Sequence, residues 1–499
     1  MARAAAGRLN LRRFSKARGR FAPYVLGTGL AGVALLNLVF VPYALLTNDP
    51  VWGHLLSVTV GGSLGGALLA FGKRDAQPTR REGLIAVSLL WLGVTLVGAL
   101  PYRFGGGMTL VNALFESASG FTATGATALD HFDTFPSSLF IYRALTQWLG
   151  GIGIIVLFII VLPQFALAGR QLFFAEMTGP TEERLSPKLR QTARAVMTVY
   201  LALTVLCLIA YWGVGMSFYD ALAHTFTTVS AAGFSPRAQS FVDYPAYIEV
   251  VAMTFMLLAG ISFALYIRAF KGRVSSFWQN NEFRAYLAII LLATLGVALA
   301  LRPTYGPLEA LRHSFFQVTS ILTTTGYASV DYNLWPTSAQ AILVLLMFIG
   351  GSAGSAAGGV KIVRWLIIAG NTGREIRRAL HPRAVMPLSL GSIPIPEAVL
   401  RAVAAFVTLF VALTAALTLA LTWLGADFTT ALTAAVACLG NTGPGLAAVG
   451  PMESYSSLHP VSQLLLSLAM IAGRLEILTL FVVFDSRFWR LPRRSPFGR

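Results

Sequence analysis

Four short stretches of this 499-residue chain combine small or hydroxyl-bearing residues with a single glycine. Each follows a long apolar segment and a short segment of mixed polarity, and each precedes another apolar segment. The four stretches are Phe121-Thr122-Ala123-Thr124-Gly125-Ala126, Val229-Ser230-Ala231-Ala232-Gly233-Phe234, Leu322-Thr323-Thr324-Thr325-Gly326-Tyr327 and Leu439-Gly440-Asn441-Thr442-Gly443-Pro444. Because regular internal repetition indicates a repeated structural unit, we expect four copies of one helix–loop–helix arrangement.

These four loops have the chemistry of an ion filter. A dehydrated cation needs several oxygen ligands at one level, and the backbone carbonyls of four loops supply them in potassium channels. Threonine hydroxyls add oxygens, and glycine permits backbone conformations in which successive carbonyls point inward. The residues predicted to hold the cation are Ala123, Thr124, Gly125, Ala231, Ala232, Gly233, Thr324, Thr325, Gly326, Asn441, Thr442 and Gly443. The alternative is a set of ordinary turns in a chain with 47 glycines, which leaves the fourfold recurrence unexplained.

The composition is that of a membrane protein with many spans. Hydrophobic residues make up 56% of the chain and charged residues only 12%, whereas soluble domains carry about 25% charged residues. Many apolar runs reach the ~20 residues that a helix needs to cross a bilayer. The two cysteines, Cys207 and Cys438, lie in apolar surroundings and indicate neither a disulfide framework nor a metal site.

The distribution of charge predicts the orientation in the membrane. The net charge is +17, but the basic residues cluster in alternate segments between spans, which is the positive-inside pattern. A nucleic-acid-binding protein would carry a basic face on a soluble fold, so nucleic acid is not expected as a partner. The basic stretch 1–20 is expected to contact membrane lipid. With both termini cytoplasmic, ten crossings result and all four loops face outside.

The predicted fold is an all-α polytopic membrane protein. Four membrane–pore-loop–membrane repeats surround one pore with pseudo-fourfold symmetry, and two accessory transmembrane helices precede them. The predicted boundaries are 1–81 for the basic N-terminus and accessory pair, then 82–190, 191–284, 285–395 and 396–499 for repeats one to four. A half-helix that points its C-terminal end at the pore would present partial negative charge to a cation.

The predicted span 337–369 is interrupted at its centre by a run of glycines and serines. Each glycine costs a helix about 1 kcal/mol relative to alanine. Unwound backbone at membrane depth is tolerated only where it is buried in protein or lines a water-filled path. The run therefore predicts a gating loop below the filter, formed by Gly350, Gly351, Ser352, Gly354, Ser355, Gly358, Gly359 and Lys361. The alternative is an intact helix with a small-residue packing seam.

Arg474 lies between long apolar flanks in the predicted span 460–484. A lone arginine at the bilayer centre costs at least ~2.5–3.5 kcal/mol, so its side chain is expected to face the bundle interior. Glu476 is two residues away and cannot share its helix face. Two interpretations stay open: an electrostatic barrier or latch that belongs to the gate, and a structural ion pair without a part in permeation.

Four polar side chains occur in the short segments that precede the loops, namely Glu116, His224, His313 and Gln317. These side chains either brace the loops or face water. The spans are otherwise nearly bare of histidine and acidic residues, so a membrane-embedded enzyme is not indicated and no organic cofactor is expected. A receptor or scaffold would leave the four loops unexplained.

The chain resembles the Trk/Ktr/HKT superfamily of potassium transporters, and within it the TrkH-like membrane subunits of bacterial Trk systems. The resemblance covers almost the whole chain. It rests on the first, third and fourth glycine loops, on the run from Gly350 to Lys361, on Gly473-Arg474-Leu475-Glu476 and on the accessory helix pair. It implies one filter glycine per repeat at Gly125, Gly233, Gly326 and Gly443, an intramembrane gate at 350–359 and a pore barrier at Arg474.

The resemblance also implies bound K+ as the transported ion, a homodimer and a cytosolic nucleotide-binding ring of TrkA-like regulatory subunits. Plant relatives that favour sodium carry serine at the first filter position, and here that residue is Gly125. Two features depart from the family pattern. Ala123 stands where a threonine is common, and Ala231 and Ala232 leave the second loop without hydroxyls beside its glycine. Both weaken side-chain coordination, so selectivity is expected to be modest.

The sequence as a whole predicts potassium uptake across the bacterial cytoplasmic membrane, through a four-loop filter that an intramembrane loop and a pore arginine gate. The alternative function within the same fold is a sodium-permeable carrier or a symporter that couples K+ to Na+ or H+.

Overall fold

The computed structural model describes residues 20–73, 80–160, 185–384, 386–391 and 393–477. The predictions for the basic N-terminal stretch, for part of the loop between repeats one and two, and for the C-terminal tail fall outside these residues. The described chain is helical apart from connecting loops, three short 3-10 turns and a hairpin of two-residue strands, β1 (Ser389–Leu390) and β2 (Ile393–Pro394). The predicted all-α polytopic fold is confirmed.

The described part of the chain forms helices of very different lengths. In chain order they are α1 (Phe21–Leu46), α2 (Trp52–Phe71), α3 (Arg80–Gly98), α4 (Leu100–Phe104), α5 (Leu110–Phe121), α6 (Ser137–Ile160), α7 (Leu185–Gly213), α8 (Phe218–Val229), α9 (Ala246–Ala259), α10 (Phe263–Phe270), α11 (Ser276–Gln279), α12 (Asn281–Leu301), α13 (Pro307–Leu322), α14 (Thr337–Met347), α15 (Ile362–Leu380), α16 (Glu397–Trp423), α17 (Phe428–Gly440) and α18 (Pro460–Arg474).

Six stretches of the described residues are long and apolar enough to cross a bilayer as single helices. They are α1, α2, α3 continued into α4, α7 from Gln191, α12 and α16, with mean hydropathies between 1.5 and 2.3. In a hydrocarbon medium every backbone N–H and C=O must be bonded within the protein, and a helix achieves this within one segment. The chain is therefore a multi-pass membrane protein.

In three of the predicted spans the first helix ends before the predicted boundary. The span 245–267 bends by 89° between α9 and α10, and the span 337–369 ends as a helix at Met347 and resumes at Ile362. The helix of span 460–484 ends at Arg474. The sequence predicted only the second of these helix ends, because the first lies at a single glycine, Gly260, and the third at a single glycine, Gly473.

Four short helices, α5, α8, α13 and α17, lie between the long helices and precede the glycine loops. Three of them begin with a side chain that accepts a hydrogen bond from the third residue of the helix. Thr109 caps α5, Ser217 caps α8 and Asp427 caps α17. α13 begins instead with proline at its first position. Such residues fix where a helix starts, so each short helix begins at a defined distance from its loop.

The accessory pair α1 and α2 packs closely because small residues face each other. A β-carbon added to Gly27 would lie 2.9 Å from the carbonyl oxygen of Gly65, so only glycine permits this approach. The turn between the two helices is bonded to α6, because Asp49 accepts hydrogen bonds from Ser137 Oγ at 3.1 Å and Ser138 N at 2.7 Å. Burial alone would raise the pKa of Asp49, but these bonds and one from Thr47 hold it below its ordinary value.

Candidate functional site

The four glycine loops share one backbone conformation. The residue two positions before each glycine has a positive φ of 51° to 57°, and each glycine has a positive φ of 81° to 97°. The non-glycine residues with this left-handed backbone are Ala123, Ala231, Thr324 and Asn441. Left-handed backbone is uncommon outside glycine and is an outlier for a β-branched residue such as Thr324. Its recurrence at equivalent positions shows that the loops are four copies of one structure.

The four loops surround a common centre. A β-carbon added to any one of the four glycines would collide with the backbone of the next loop. The carbonyl oxygens that it would meet are those of Ala232 for Gly125, Thr325 for Gly233, Thr442 for Gly326 and Thr124 for Gly443. Each oxygen belongs to the residue directly before the next glycine, and the fourth loop returns to the first. The loops therefore form a closed ring, which we call the glycine ring.

One face of the glycine ring opens into a shallow cavity. Its lining includes Gly125, Gly233, Gly326 and Pro444 from the four loops, together with the carboxylate-bearing Glu453. This cavity lies next to the carbonyl oxygens that the glycines face. The arrangement has the oxygen-rich chemistry that replaces the water shell of a cation.

The threonine hydroxyls near the ring bond mainly to the protein. Thr124 Oγ1 lies 2.6 Å from Thr122 Oγ1 and accepts from Asn441 Nδ2 at 2.8 Å, which links the first loop to the fourth. Thr325 Oγ1 lies 2.8 Å from Thr323 Oγ1. Among the described residues, the buried hydroxyl of Thr442 has no hydrogen-bond partner. The carbonyls are therefore better candidates for cation ligands than most of these hydroxyls.

Side chains of the short helices brace the loops from behind. Glu116 accepts from Ala128 N at 2.8 Å, and Gln317 accepts from Ser329 N at 3.1 Å. These two donors are the third residue after Gly125 and Gly326. His224 stands at the same distance before its glycine as Glu116 and Gln317 do, and its Nε2 lies 3.2 Å from Ser235 Oγ. The bracing interpretation therefore describes these three residues better than exposure to water.

The fourth loop uses a different residue for the same purpose. Ala434 occupies the position that corresponds to Glu116, and Thr433 beside it accepts from Leu446 N at 2.9 Å. Leu446 is the third residue after Gly443, so this bond matches those of the first and third loops. His313 lies one turn before Gln317 and its Nδ1 is 3.2 Å from Ser329 Oγ.

Two residues of α6, the helix that follows the first loop, bond to the second loop, and neither was predicted from the sequence. Arg143 is buried with Glu116, and their closest atoms are 2.5 Å apart. Arg143 Nη1 also donates to the carbonyl oxygen of Ser235 at 3.2 Å. Gln147 donates to the carbonyl of Ala232 at 2.8 Å and accepts from Phe234 N at 3.0 Å. The sequence signal for Arg143 and Gln147 was the presence of polar residues inside an otherwise apolar span, where such residues are usually functional.

The interruption of the predicted span 337–369 is a loop that lies directly against the glycine ring. We call residues 348–361 the intramembrane loop. Gly358 N donates to Thr324 Oγ1 at 2.6 Å and Gly359 N donates to the carbonyl of Gly440 at 2.7 Å. The intact-helix alternative is wrong for this segment. The bond from Gly358 also explains how the strained left-handed Thr324 is held.

The intramembrane loop completes the break between α9 and α10. Ser352 N donates to the carbonyl of Gly260 at 3.1 Å and Ala356 N to that of Ala259 at 3.2 Å, while Phe263 N donates to the carbonyl of Gly354 at 3.0 Å. A broken helix leaves such groups without intrahelical partners, and in a membrane they must be satisfied by protein or water. The two interruptions therefore satisfy each other and form one structural element.

Arg474 contacts the intramembrane loop through backbone oxygens. Its Nη1 lies 3.5 Å from the carbonyl of Ala356, and its Nη2 donates to the carbonyl of Gly150 on α6 at 3.3 Å. The residue is buried, with 5% of its surface exposed. Within the described part of the chain, no carboxylate lies within 4.0 Å of its guanidinium. The structural ion-pair interpretation therefore has no support from the described residues.

The buried ion pair of this region belongs to other residues. Arg364 on α15 lies 2.8 Å from Glu476 Oε1, and the Arg364 guanidinium stacks on Phe406 with 4.0 Å between its centre and the ring. Glu476 has a positive φ of 56°, just beyond the end of α18. This pair ties the helix that leaves the intramembrane loop to the segment that carries Arg474. Lys361, with a φ of 79°, donates through Nζ to the carbonyl of Ala357.

Comparison with known proteins gives a consistent result. A family model described as "TrkH: Cation transport protein" matches residues 61–490. The Trk system potassium uptake protein TrkH of Escherichia coli K12 is 36% identical over 427 residues, which cover 84% of this chain and 88% of the relative. The protein of the same name from Halomonas elongata is 35% identical over 472 residues, which cover 91% of this chain and 97% of the relative.

A solved structure agrees with the sequence comparisons. The crystal structure of the potassium transporter TrkH from Vibrio parahaemolyticus matches with a TM-score of 0.85 and 32% identity, over 95% of this chain and 100% of that one. The match to the family model and the alignments with the relatives each cover far more than half of the chain. The chain belongs to the TrkH family of cation transport proteins.

Proposed function

We propose that this protein takes up potassium ions through the glycine ring. The observation that carries the proposal is the closed cyclic order of the four loops, in which each glycine faces the carbonyl of the residue before the next glycine. Such a ring offers a desolvated monovalent cation several oxygens at one level. The relatives that are named potassium uptake proteins are similar to this chain over most of its length.

The membrane potential is sufficient to drive this uptake. A potential of 100 mV contributes about 2.3 kcal/mol for each elementary charge. Since about 1.4 kcal/mol corresponds to a tenfold ratio, this favours accumulation by roughly fiftyfold. Gated passive flow is therefore sufficient, and the proposal does not require a coupled ion.

The gate in this proposal is the intramembrane loop together with Arg474. The intramembrane loop is bonded to Thr324 of the third glycine loop through Gly358, and to Gly440 of the fourth through Gly359. Arg474 adds a buried positive charge that contacts the loop at Ala356. A fixed positive charge next to a cation path raises the energy of the ion by repulsion, and burial increases this effect.

The basic segments between spans support an orientation with both termini in the cytoplasm of a bacterial cell. The linker between α10 and α12 carries Lys271 and Arg273, and Arg268 and Arg284 flank it on these two helices. These residues offer a charged face to a cytosolic regulatory subunit, and the relatives are named as members of a Trk system. We include such a partner, and a second copy of the chain, in the proposed assembly.

The purified protein in liposomes is expected to conduct K+ in preference to Na+. The physical reason is that four carbonyl-bearing loops replace the shell of the larger and less strongly hydrated ion at lower cost. The measurement is the reversal potential under exchange of the two ions across the bilayer. An unchanged reversal potential contradicts potassium selectivity and favours the sodium-permeable alternative. A reversal potential that follows an imposed pH or Na+ gradient favours a coupled symporter.

Replacement of Arg474 by alanine is expected to raise K+ flux about tenfold in the absence of any regulator, because a buried repulsive charge is removed from the proposed path. The measurement is the rate of K+ flux into liposomes that already contain potassium, at a fixed membrane potential. Arg364→Met serves as a control, since it removes a buried arginine from the Glu476 pair rather than from the path. Equal effects of the two substitutions on flux and on thermal stability would assign Arg474 a structural role.

A further inference from the structure

One carboxylate that does not belong to the glycine ring accepts two hydrogen bonds from the intramembrane loop and the helix that follows it. Glu282 Oε1 accepts hydrogen bonds from Ala353 N at 2.7 Å and from Val363 N at 3.1 Å. The two donors lie ten residues apart, Ala353 within the loop and Val363 in the first turn of α15 directly after it. A single oxygen therefore joins the middle of the loop to the start of the helix that follows it.

The position of Glu282 favours strong bonds. The residue lies in the first turn of α12 and only 4% of its surface is exposed. Val363 is the second residue of α15, so the carboxylate sits at the N-terminal end of that helix, where partial positive charge accumulates. Hydrogen bonds to an ionised acceptor are roughly twice as strong as neutral ones, and burial keeps water from competing for them.

Several elements hold the loop. It is bonded to Thr324 and Gly440 beside the glycine ring. It is also bonded to Glu282 on α12, and to Phe263 at the break between α9 and α10. Displacement of the loop relative to α12 therefore requires that the bonds to Glu282 break.

Glu282 lies two residues after the linker 271–280, which connects the second and third repeats. The neighbouring Asn280 caps α12 by accepting from Phe283 N at 2.8 Å. Phe283 packs against Phe277 and Trp278 of the linker, with ring centres 5.2 Å and 5.8 Å apart. The linker begins after α10, whose first residue, Phe263, is itself bonded to the loop. Both ends of the segment 263–282 therefore contact the intramembrane loop.

We propose that Glu282 is a clamp, the positioning residue that holds the intramembrane loop against the glycine ring. Glu282 also transmits displacements of the linker 271–280 to the intramembrane loop. The proposal rests on the assignment of this loop as the gate. Glu282 does not touch the conducted ion. It acts by fixing the middle of the loop and the start of α15, so that a partner or modification that shifts the linker loosens both attachments together.

The test compares Glu282→Ala with Glu282→Gln in the full-length protein reconstituted in liposomes without regulator. Loss of both bonds in Glu282→Ala is expected to raise K+ flux about tenfold. Glu282→Gln keeps one amide oxygen as an acceptor but loses the charge, so a smaller increase is expected. Glu309→Gln is the matched control, since Glu309 is an exposed carboxylate in the first turn of α13.

A second measurement separates the clamp from the identity of the conducted ion. In a Cys207→Ala/Cys438→Ala background, Ser355→Cys places a thiol in the loop, where the wild-type side chain is buried. Glu282→Ala is expected to speed its reaction with a membrane-impermeant thiol reagent about tenfold, at an unchanged melting temperature. This labelling responds to the loop whether or not potassium is the ion, so its failure is distinct from failure of the proposed function.

Unchanged labelling and unchanged flux in a folded Glu282→Ala protein overturn the clamp. If Glu282→Ala does not yield folded protein, Glu282→Gln decides: increases in both rates support the clamp, and rates equal to those of Glu309→Gln overturn it. A lower melting temperature without faster labelling assigns Glu282 a merely structural role and also overturns the proposal.

Discussion

Gly233→Ala is expected to lower K+ flux on the order of a hundredfold and to reduce the preference for K+ over Na+. The substitution adds a β-carbon that would overlap the carbonyl oxygen of Thr325. It also places a side chain at a φ of 81°, which costs about 1–3 kcal/mol by itself. Because the Thr325 oxygen belongs to the third loop, the substitution in the second loop is expected to displace the third loop as well. The measurement is flux and reversal potential in liposomes.

The matched control for this substitution is Gly215→Ala. Gly215 has a φ of 94°, and a β-carbon added there meets no atom within 4 Å. It therefore carries the same backbone strain without contact to any ring carbonyl. Similar losses of flux in both variants would mean that strain or folding, and not the ring, produces the effect. Normal flux and selectivity in Gly233→Ala would contradict the ring as the filter.

The second large effect is expected from the buried pair Glu116 and Arg143. Glu116→Gln leaves the Arg143 guanidinium buried without its counter-charge, and breaking a buried pair on one side costs about 3–5 kcal/mol. Both side chains are at most 2% exposed, so solvent cannot compensate. We expect a melting temperature several degrees lower in detergent and loss of K+ selectivity, because the same carboxylate holds the first loop through Ala128.

Two further variants test the origin of this effect. Glu116→Gln with Arg143→Met removes both charges and is expected to recover part of the lost stability, because no buried charge remains. Asp220→Asn breaks the pair with Arg237, in which the arginine side chain is 46% exposed and the carboxylate 9% exposed, so solvent screens this pair more than the Glu116–Arg143 pair and its loss is expected to cost less. An equal destabilisation by Asp220→Asn and Glu116→Gln would contradict the importance of burial.

The repeated features of this protein were accessible to sequence analysis because they are local. A glycine loop after a short capped helix needs only neighbouring residues, and it recurs four times, as with Gly125 and Gly233. The interruption around Gly354 was equally local, since many glycines in one span prevent a stable helix. The positions of the long spans followed from apolar runs of sufficient length.

The partners of isolated polar residues were not accessible in this way. Arg474 and Glu476 are two residues apart, yet the first contacts Ala356 and Gly150 while the second pairs with Arg364. Nothing in the local pattern selects these partners, because tertiary packing of four repeats brings them together. The break after Ala259 was missed for a related reason, since the loop that satisfies its backbone groups lies about 90 residues later in the chain.

The alanines of the first two loops take on a different meaning in the structure. Ala123 and Ala231 occupy the left-handed position at which the third loop has Thr324. The Thr324 hydroxyl accepts from Gly358 of the intramembrane loop. A hydroxyl at this position therefore bonds to the intramembrane loop in the third glycine loop, and its absence from the first two loops removes no comparable bond. The concern that these alanines weaken cation coordination applies less to Ala123 and Ala231 than to Ala232.

A ring built by one polypeptide can be tuned one quadrant at a time. Four identical subunits would repeat every substitution at each corner of such a ring, whereas here the backing residues Glu116, His224, Gln317 and Thr433 already differ. Evolution, or an engineer, can therefore change the rigidity of a single corner and leave the other three untouched, so that the geometry of the ring is adjustable in small increments.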